Sequence, residues 1–449
     1  MFNKVLIANR GEIAQRIQRA CHELGLKTVV VFSEADRGAT YIDYADEAIC
    51  IGPAPSSKSY LDKHALLRAA HITGADAIHP GYGFLSENSD FAALIEKAGL
   101  IFIGPSADAI SMMGDKITAK QAMQSAGVPC VPGSGSITSE DPDVLHRAAD
   151  DIGYPLIIKA AGGGGGRGMR VVKAPETLLD SVRNTREEVQ SAFENPNIYF
   201  ERLIENPRHI EIQVLCDMFG HGVHLWARDC SLQRRHQKLL EESPPPGIDQ
   251  DVIDELGRRC VVACQHNGYH GVGTFEFLYT DGHFYFIEMN TRLQVEHPVT
   301  EMVTGIDLVK EQIRVAQRQP LTLSQQDVAL QGHAIECRIN AENPDTQMPC
   351  SGIVEGWRAP GGCGIRVDSH IESGSRVPPY YDSMIAKVIA HAYTREEALT
   401  RMQRALGECR IESITSNIAL HQRLLAHRDI RAGGFSIDFL ESQAWKERT

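Results

Sequence analysis

The chain has 449 residues, 43% of them hydrophobic and 23% charged, with a formal net charge of -13. Its length suggests two or three domains, and its composition predicts an ordinary soluble globular protein. The acidic charge argues against nucleic-acid binding, and the lack of a long apolar run argues against a membrane span or a secretory signal. Eleven cysteines without a Cys-x-x-Cys pair indicate free thiols and a cytoplasmic location.

Short apolar runs and amphipathic stretches alternate through the first part of the chain. A strand at Val5–Ala8 precedes a helical pattern that begins near Ile13. Strands are then predicted at Thr28–Phe32, Ala48–Ile51, Ala77–His79 and Leu100–Ile103, and helices at Leu61–Ile72 and Phe91–Lys97. Such alternation predicts a parallel α/β sheet whose strand ends form a ligand-binding edge.

A glycine-rich loop follows, with six glycines among residues 162–168. It lies between predicted strands at Leu156–Ala160 and Met169–Val172, and a helix is predicted at Thr177–Phe193. Bare backbone N–H groups can approach phosphate oxygens, although a flexible surface turn would look the same. Because a strand rather than a helix follows the loop, a dinucleotide-binding fold is disfavoured.

Thr274–Asn290 is expected to form a β-hairpin, and the chain is strand-rich with alternating polarity after Ile204. A three-residue loop at 281–283 would place Tyr279 near Tyr285 and Glu276 directly opposite Glu288, with Asn290 on the same face as Glu288. Opposed carboxylates destabilise a sheet unless a cation lies between them, which favours Mg²⁺ or Mn²⁺. An exposed hairpin with solvated charges is the alternative.

One group of residues resembles a zinc site but is better explained as a helix. Cys260 and Cys264 precede His266 and His270. The two cysteines continue a helical apolar pattern, so they are expected in the core.

Four segments resemble biotin carboxylase, a family of the ATP-grasp superfamily. They read IANRGEIA at 7–14, HPGYGFLSEN at 79–88, RDCSLQRRHQK at 228–238 and EMNTRLQVEH at 288–297. The likeness extends from residue 3 to about residue 442, with departures at Cys350 and Cys363. It implies an α/β and α+β fold with an N-terminal parallel α/β domain at 1–114, an ATP-grasp region at 115–330 that includes a mobile lid at 131–203, and a C-terminal mixed domain at 331–449.

The resemblance also implies an ATP site with a divalent metal. Its nucleotide contacts would be Lys116, Lys159, Gly165, Gly166, Glu201, Arg202, Leu203, Ile204, His209, Gln233, His236, Glu276, Leu278, Glu288 and Ile437. Mg²⁺ or Mn²⁺ would be held by Glu276, Glu288 and Asn290. The pattern around His209 agrees, because His209, Glu211 and Gln213 form the polar face of a predicted strand, although such residues could be ordinary sheet surface.

For bicarbonate the resemblance implies contacts from Lys238, Arg292, Gln294, Val295, Glu296 and Arg338, and for biotin from Tyr82 and Arg338. Arg292 would hold two oxygens of the anion, Lys238 would add a point charge and Glu296 would act as general base. Arg338 would stabilise the biotin oxyanion. A solvated basic patch around Arg234 and a surface location for Arg338 are the alternatives.

The implied activity is ATP- and bicarbonate-dependent carboxylation of biotin through carboxyphosphate. No methionine adjoins a lysine, so biotin is expected on a separate carrier protein, and the chain is expected to end without a carrier module. Further expectations are a homodimer, carboxyltransferase partner subunits and a role in acetyl-CoA carboxylase and fatty acid biosynthesis, or alternatively in another acyl-CoA or pyruvate carboxylase. Another ATP-grasp ligase and a non-catalytic nucleotide-binding regulator are the competing hypotheses.

Overall fold

The computed structural model describes residues 2–160, 168–192, 197–442 and 445. The N-terminal elements are β1 (Lys4–Ile7), α1 (Gly11–Glu23), β2 (Lys27–Ser33), β3 (Glu47–Gly52), α2 (Lys63–Thr73), β4 (Ala77–His79), α3 (Ser89–Lys97), β5 (Ile101–Phe102), α4 (Ala107–Gly114) and α5 (Lys116–Ser125).

The five N-terminal strands form the predicted parallel sheet, in the order β3-β2-β1-β4-β5. Its apolar side chains divide between two core clusters, because helices cover both faces of such a sheet. α2 begins two residues later than predicted, since the Asp62 side chain caps it by accepting from the N–H groups of His64 and Ala65. The expected α/β architecture is therefore confirmed.

A small module follows, composed of α6 (Pro142–Ile152), β6 (Leu156–Ala160), β7 (Met169–Val172), α7 (Leu178–Ala192) and β8 (Ile198–Arg202). Its antiparallel sheet has the order β7-β6-β8, and a separate apolar cluster, including Leu145, Val182 and Phe200, packs against it. The strands that flank the glycine loop are hydrogen-bonded partners. Gly165 and Gly166 lie outside the described residues.

The rest of the chain begins with β9 (Arg208–Cys216), β10 (Gly222–Arg234), β11 (Gln237–Ser243), α8 (Gln250–His266), β12 (Gly271–Thr280), β13 (His283–Asn290), α9 (His297–Thr304) and α10 (Leu308–Ala316). It continues with β14 (His333–Asn340), β15 (Gly352–Ile353), β16 (Gly356–Arg358), β17 (Ile365–Ser369), β18 (Arg376–Val377), β19 (Met384–Ala392), α11 (Arg395–Glu408), β20 (Arg410–Glu412), α12 (Ile418–Ala426) and α13 (Arg428–Ala432).

Eight of these strands form one antiparallel sheet in the order β13-β12-β9-β10-β11-β14-β19-β17. The sheet continues across residue 330, because β14 pairs with β11 on one side and with β19 on the other. The predicted ATP-grasp and C-terminal regions thus contribute strands to the same sheet, and residues from both can meet on one face.

The β12–β13 hairpin brings Glu276 opposite Glu288 as predicted, but by a different route. Thr280 pairs with His283, so the turn has two residues, Asp281 at φ 49° and Gly282 at φ 81°. Positive φ at both turn positions matches the right-handed twist of the strands.

A register shift between Glu276 and Phe277 then restores the pairing of the two carboxylates. Tyr279 lies opposite Phe284, and Tyr285 lies opposite Leu278. The three-residue loop and the proximity of Tyr279 to Tyr285 were therefore wrong, because a bulge compensates for the shorter turn.

Cys260 and Cys264 lie on α8 with no exposed surface and belong to an apolar cluster. Their interpretation as core positions is confirmed. Among the described helices, none combines the length and apolar character that crossing a bilayer requires.

Candidate active site

A cleft of about 940 Å³ lies where the N-terminal domain meets the large sheet. It brings together thirteen of the predicted site residues: Tyr82, Lys116, His209, Gln233, His236, Lys238, Glu276, Glu288, Asn290, Arg292, Gln294, Val295 and Arg338. The two-residue turn between β10 and β11, with Arg235 at φ 52° and His236 at φ 61°, presents His236 to the cleft.

Lys238 lies among three buried carboxylates. Its ammonium contacts Glu211 at short range, Glu276 at 3.2 Å and Glu296 at 2.6 Å. Burial alone would lower the pKa of Lys238, but these carboxylates raise it well above its usual value. Lys238 is therefore a fixed positive charge inside the cleft.

Glu296 joins the two cations that were predicted to act on bicarbonate and biotin. Its side chain is fully buried, with Oε1 2.6 Å from the Lys238 ammonium and Oε2 2.9 Å from Nη2 of Arg338. The Nε of Arg338 also donates to Glu241 at 2.5 Å. A carboxylate held between two cations is placed to accept a proton from a small anion that binds both of them.

Arg292 is oriented by three partners at the edge of the cleft. Its Nε donates to Glu87 at 2.8 Å, its Nη2 to Asn290 at 2.8 Å and its Nη1 to Gln294 at 3.3 Å. The guanidinium fork is thus fixed before any ligand binds, which suits bidentate recognition of a planar oxyanion.

His209 contacts two of the same carboxylates, with Nε2 3.2 Å from both Glu211 and Glu276. Its Nδ1 lies 3.0 Å from the amide nitrogen of Gln233. Burial alone would lower the pKa of His209, but Glu276 and Glu211 raise it to about 9. The imidazole is therefore cationic at neutral pH and suited to an anionic ligand.

The nucleotide-side lysines are paired with carboxylates too. Lys116 lies 3.0 Å from Glu288. Glu201 binds Lys159 at 2.7 Å and Lys120 at 2.9 Å. Burial alone would raise the pKa of Glu201, but these two lysines lower it.

The remaining described members of the predicted nucleotide set lie outside the cleft lining: Lys159, Glu201, Arg202, Leu203, Ile204, Leu278 and Ile437. Arg202 and Leu203 donate backbone hydrogen bonds to the carbonyls of Pro132 and Pro155, and Ile437 donates to that of Pro207. These seven residues therefore lie apart from the thirteen that line the cleft.

Three oxygen-bearing side chains fit a divalent cation of the hard type. Glu276 and Glu288 are register partners, and Asn290 donates to Glu276 at 2.8 Å. Burial alone would raise the pKa of Glu276, but Lys238 and His209 lower it to about 2. The carboxyl oxygens of Glu276 and Glu288, with the amide oxygen of Asn290 in the same hairpin, are a donor set that suits Mg²⁺ or Mn²⁺.

Tyr82 lines the cleft with its ring, while its hydroxyl is committed to Glu12 in a short hydrogen bond. Lys387 is fully buried, lies 3.1 Å from Glu12 and donates to the carbonyl of Val295 at 2.8 Å. This cluster connects the N-terminal domain to β19 behind the two residues that were predicted to contact biotin.

Sequence reasoning assigned no role to several side chains that hold the site together: Glu12, Glu87, Arg228, Glu241 and Lys387. Arg228 is fully buried and donates to Glu211, Gln213, Thr274 and Thr300. A signal was present for Lys387, because it is the one lysine in the apolar strand Met384–Ala392, and lysines are rarely buried without a partner.

Family models cover most of the chain. The biotin carboxylase N-terminal domain matches residues 1–110, the ATP-binding domain of the carbamoyl-phosphate synthase L chain matches residues 115–324, and the biotin carboxylase C-terminal domain matches residues 336–442. A biotin carboxylase of Haemophilus influenzae is 58% identical over 443 residues, covering 99% of each chain. This chain belongs to the biotin carboxylase family.

Solved structures agree with that assignment. A beta-gamma-ATP complex of biotin carboxylase from Campylobacter jejuni has a TM-score of 0.95 and 46% identity, covering 98% of this chain and 99% of that one. The biotin carboxylase domain dimer of 2-oxoglutarate carboxylase from Hydrogenobacter thermophilus, in complex with MgADP, ADP and bicarbonate, has a TM-score of 0.93 and 46% identity, covering 98% and 97%. The ATP-grasp fold predicted for this biotin carboxylase family member is confirmed.

Proposed function

We propose that this chain uses ATP and bicarbonate to carboxylate biotin on a separate biotin carboxyl carrier protein, with carboxyphosphate as the intermediate. The observation that carries the proposal is the buried Glu296 carboxylate, held 2.6 Å from Lys238 and 2.9 Å from Arg338. Those two cations line the cleft together with Arg292, and Glu296 lies directly behind them. This arrangement supplies a base and three cations for small anions, which an ATP-binding regulator would not need.

ATP would bind with its phosphates toward Lys116, Lys159 and His209, each of which is now paired with a carboxylate. The adenine would lie against Glu201, Arg202, Leu203, Ile204, Leu278 and Ile437, with Gln233 and His236 near the ribose and phosphates and with Gly165 and Gly166 in the closing lid. Glu276, Glu288 and Asn290 would hold Mg²⁺ or Mn²⁺, whose chemistry is to neutralise phosphate charge.

Bicarbonate would be held by Arg292, Lys238 and the Gln294–Val295 segment. Glu296 removes its proton, and a carbonate oxygen attacks the γ-phosphorus of ATP. The bond from that phosphorus to the bridging oxygen of ADP breaks, giving carboxyphosphate and ADP. The protein contributes mainly by positioning the reactants and by fixed positive charge.

Carboxyphosphate then breaks into CO₂ and phosphate, and the phosphate removes the N1′ proton of biotin. Arg338 stabilises the negative charge that develops on the ureido oxygen. The N1′ electron pair attacks CO₂ and forms the new nitrogen–carbon bond, while Tyr82 lines the biotin side of the cleft.

The wider assembly is proposed from the family. The chain would act as a homodimer in the cytoplasm, with carboxyltransferase subunits that complete an acetyl-CoA carboxylase of fatty acid biosynthesis. The alternative is a biotin carboxylase subunit of another acyl-CoA or pyruvate carboxylase. The similar domain of a 2-oxoglutarate carboxylase supports both parts of this proposal. It is a dimer, and because its parent enzyme carboxylates a different acceptor, the acceptor served by this chain can be acetyl-CoA or another compound.

The test is ATP hydrolysis by the purified chain with and without bicarbonate, free biotin and a biotinylated carrier domain. We expect hydrolysis to require bicarbonate and to be stimulated by biotin, more strongly when biotin is tethered. Glu296→Gln should lose at least about a hundredfold in rate because the base is removed.

Glu255→Gln, a change on the exposed face of α8, is the matched control and should retain the wild-type rate. Hydrolysis that ignores bicarbonate, or a fully active Glu296→Gln variant, would contradict the proposed function.

A further inference from the structure

Two acidic side chains lie opposite one another behind Arg338. Glu241 on β11 and Glu336 on β14 are register partners in the antiparallel sheet, so their side chains share a face with Cβ atoms about 5 Å apart. Both residues have 0% exposed surface. The sheet therefore buries two carboxyl groups next to each other, away from water.

Hydrogen bonding leaves most of this pair unsatisfied. Oε1 of Glu241 accepts from Nε of Arg338 at 2.5 Å. Oε2 of Glu241 and both oxygens of Glu336 are buried and have no hydrogen-bond partner among the described residues. An ionised carboxylate without a donor is costly in the interior, and two adjacent carboxylates cannot both stay ionised without cations.

The neighbouring cations are occupied elsewhere. Lys387, on the strand next to β14, donates to the carbonyl of Val295 and pairs with Glu12. Lys238 is surrounded by Glu211, Glu276 and Glu296. Among the described residues neither ammonium pairs with Glu336, so a proton is the remaining source of a hydrogen bond within the pair.

The helix over this face does not supply a donor either. α9 packs against β11, β14 and β19, and its titratable side chains are His297 and Glu301. Glu301 pairs with Arg16 at 2.8 Å and Arg366 at 2.7 Å. The Nδ1 of His297 contacts the carbonyl of Gln294 at 2.8 Å.

We propose that Glu241 and Glu336 share one proton and that this singly charged acid pair positions Arg338 for the biotin step. Glu336 donates the proton to the free oxygen of Glu241, and Glu241 holds the Nε side of the guanidinium. The Nη2 side then stays aimed at Glu296 and can exchange that carboxylate for the ureido oxygen of biotin. The inference rests on the proposed function, and Glu241 and Glu336 are positioning residues.

The electrostatics of the site support a shared proton. Burial raises the pKa of Glu241 to about 7 in spite of the nearby Arg338. Burial raises the pKa of Glu336 well above its usual value, and Glu241 and Glu296 add to the rise while Lys387 and Arg338 oppose it. The immediate neighbour Glu242, on the other face of β11, provides a contrast, because hydrogen bonds from His333 and Arg395 overcome burial and lower its pKa to about 2.

The first test uses infrared spectroscopy on the whole chain at pH 7.5 with Glu336→Gln. The wild type should show the carbonyl stretch of a buried protonated carboxylic acid, and the variant should lose that band. Glu242→Gln is the matched control and should leave the band in place, because Glu242 is ionised. An unchanged band in Glu336→Gln would overturn the shared proton.

The second measurement is the pH dependence of the free energy of unfolding, for which a raised pKa of Glu336 predicts a definite direction. Glu336 has a raised folded-state pKa, so wild-type stability falls as pH rises from the ordinary carboxyl range toward that pKa. An amide mimics the protonated acid and does not titrate. Glu336→Gln should therefore gain stability relative to the wild type as pH increases, and failure of this variant to fold would also count against the proposal.

The third measurement tests positioning. Glu241→Gln should lower the rate of biotin carboxylation about ten- to a hundredfold, as loss of a supporting contact typically does, with the KM for ATP changed less than about twofold. Equal effects on ATP binding and on carboxylation would overturn the positioning role. If ATP hydrolysis by the wild type did not depend on bicarbonate, the proposed function would be refuted instead. The infrared measurement would then still test whether Glu241 and Glu336 share a proton.

Discussion

The large sheet contains two rows of glutamate side chains, and buried members of the two rows have pKa values shifted in opposite directions. In the first row Glu211, Glu276 and Glu288 are register partners across β9, β12 and β13. In the second, Glu241 and Glu336 are register partners across β11 and β14. The pKa of Glu211 is held well below its usual value, whereas that of Glu336 is raised well above it.

Burial does not explain this difference in pKa, because Glu211 and Glu336 both have 0% exposed surface. The neighbouring cations explain it. Glu211 is contacted by Lys238, Arg228 and His209, while Glu336 has no hydrogen-bond partner among the described residues. The number of N–H donors that reach a buried carboxylate decides whether it stays ionised.

The two states suit two tasks. In the first row, Lys238 and His209 overcome burial and lower the pKa of Glu276, whose oxygens would suit a metal. The carboxylates of this row in turn raise the pKa values of Lys238 and His209. In the second row the shared proton leaves one negative charge instead of two beside Arg338, which reduces the excess of negative charge around a guanidinium that also contacts Glu296. A single sheet would thus supply both the proposed metal site and the proposed site for the biotin oxyanion.

The largest expected effect, on the rate of ATP hydrolysis, comes from removing the Lys238 ammonium that Glu211 and Glu276 of the first row share. Lys238→Met should reduce bicarbonate-dependent ATP hydrolysis about a thousandfold, since it deletes a preorganised charge at the reacting anion. It should also add a protonated-carboxyl infrared band, because Glu211, Glu276 and Glu296 lose their common ammonium. The first row would then contain a protonated carboxyl group, as proposed for the second.

Lys120→Met is the matched control for that variant. Glu201, the partner of Lys120, keeps its contact with Lys159 at 2.7 Å, so hydrolysis should fall less than about tenfold. A Lys238→Met enzyme within tenfold of the wild type, or without a new band, would show that the shared ammonium does not set the charge state of the row.

A smaller effect is expected on the free energy of unfolding, and its pH dependence tests whether the pKa of Glu211 is lowered. Burial alone would raise the pKa of Glu211, but Lys238 and Arg228 lower it, so its contribution is present above the ordinary carboxyl pKa and is lost on acidification. Glu211→Gln should cost about 3–5 kcal/mol at neutral pH because it leaves a buried guanidinium short of a partner. The cost should shrink as pH falls below about 4.

Urea unfolding at a series of pH values measures this cost. Glu288→Gln, whose side chain is 37% exposed and has one lysine partner, should cost less than about 1 kcal/mol. A pH-independent cost for Glu211→Gln would mean that packing rather than charge makes Glu211 important.

Sequence reasoning reached the members of the first row and missed the second for a physical reason. Glu276 and Glu288 lie in one hairpin, where pairing follows from local turn chemistry and side-chain alternation. Glu241 and Glu336 meet only because β14 returns to the edge of β11, and no local pattern fixes that neighbour. Motif resemblance found Lys238 and Arg338 but gave no information on which carboxylates hold them.

The same limit applied to the hairpin register and to the pairing of strands across residue 330. The pairing of Glu276 with Glu288 was predicted from a three-residue loop, but a two-residue turn and a bulge produce it. β14, which follows residue 330, pairs with β11, which precedes it, because β-sheet partners are chosen by tertiary packing. Local elements such as the strands Ala77–His79 and Leu156–Ala160 were predicted with the observed bounds.

The smallest predicted effect concerns the turn that closes the first row. Gly282 has φ 81°, and an added Cβ would meet nothing within 4 Å, so Gly282→Ala should cost about 1 kcal/mol through backbone strain alone. Gly268→Ala, at φ 61° and equally open space after α8, should cost the same in urea unfolding. Neither change should alter the Mg²⁺ concentration needed for half-maximal ATP hydrolysis, because β12 is also paired with β9 from Gly271 to Tyr279, and the bulge beside Glu276 absorbs small changes in the turn. If Gly282→Ala alone raised the Mg²⁺ requirement, the turn rather than the neighbouring strand would set the register of Glu276 and Glu288.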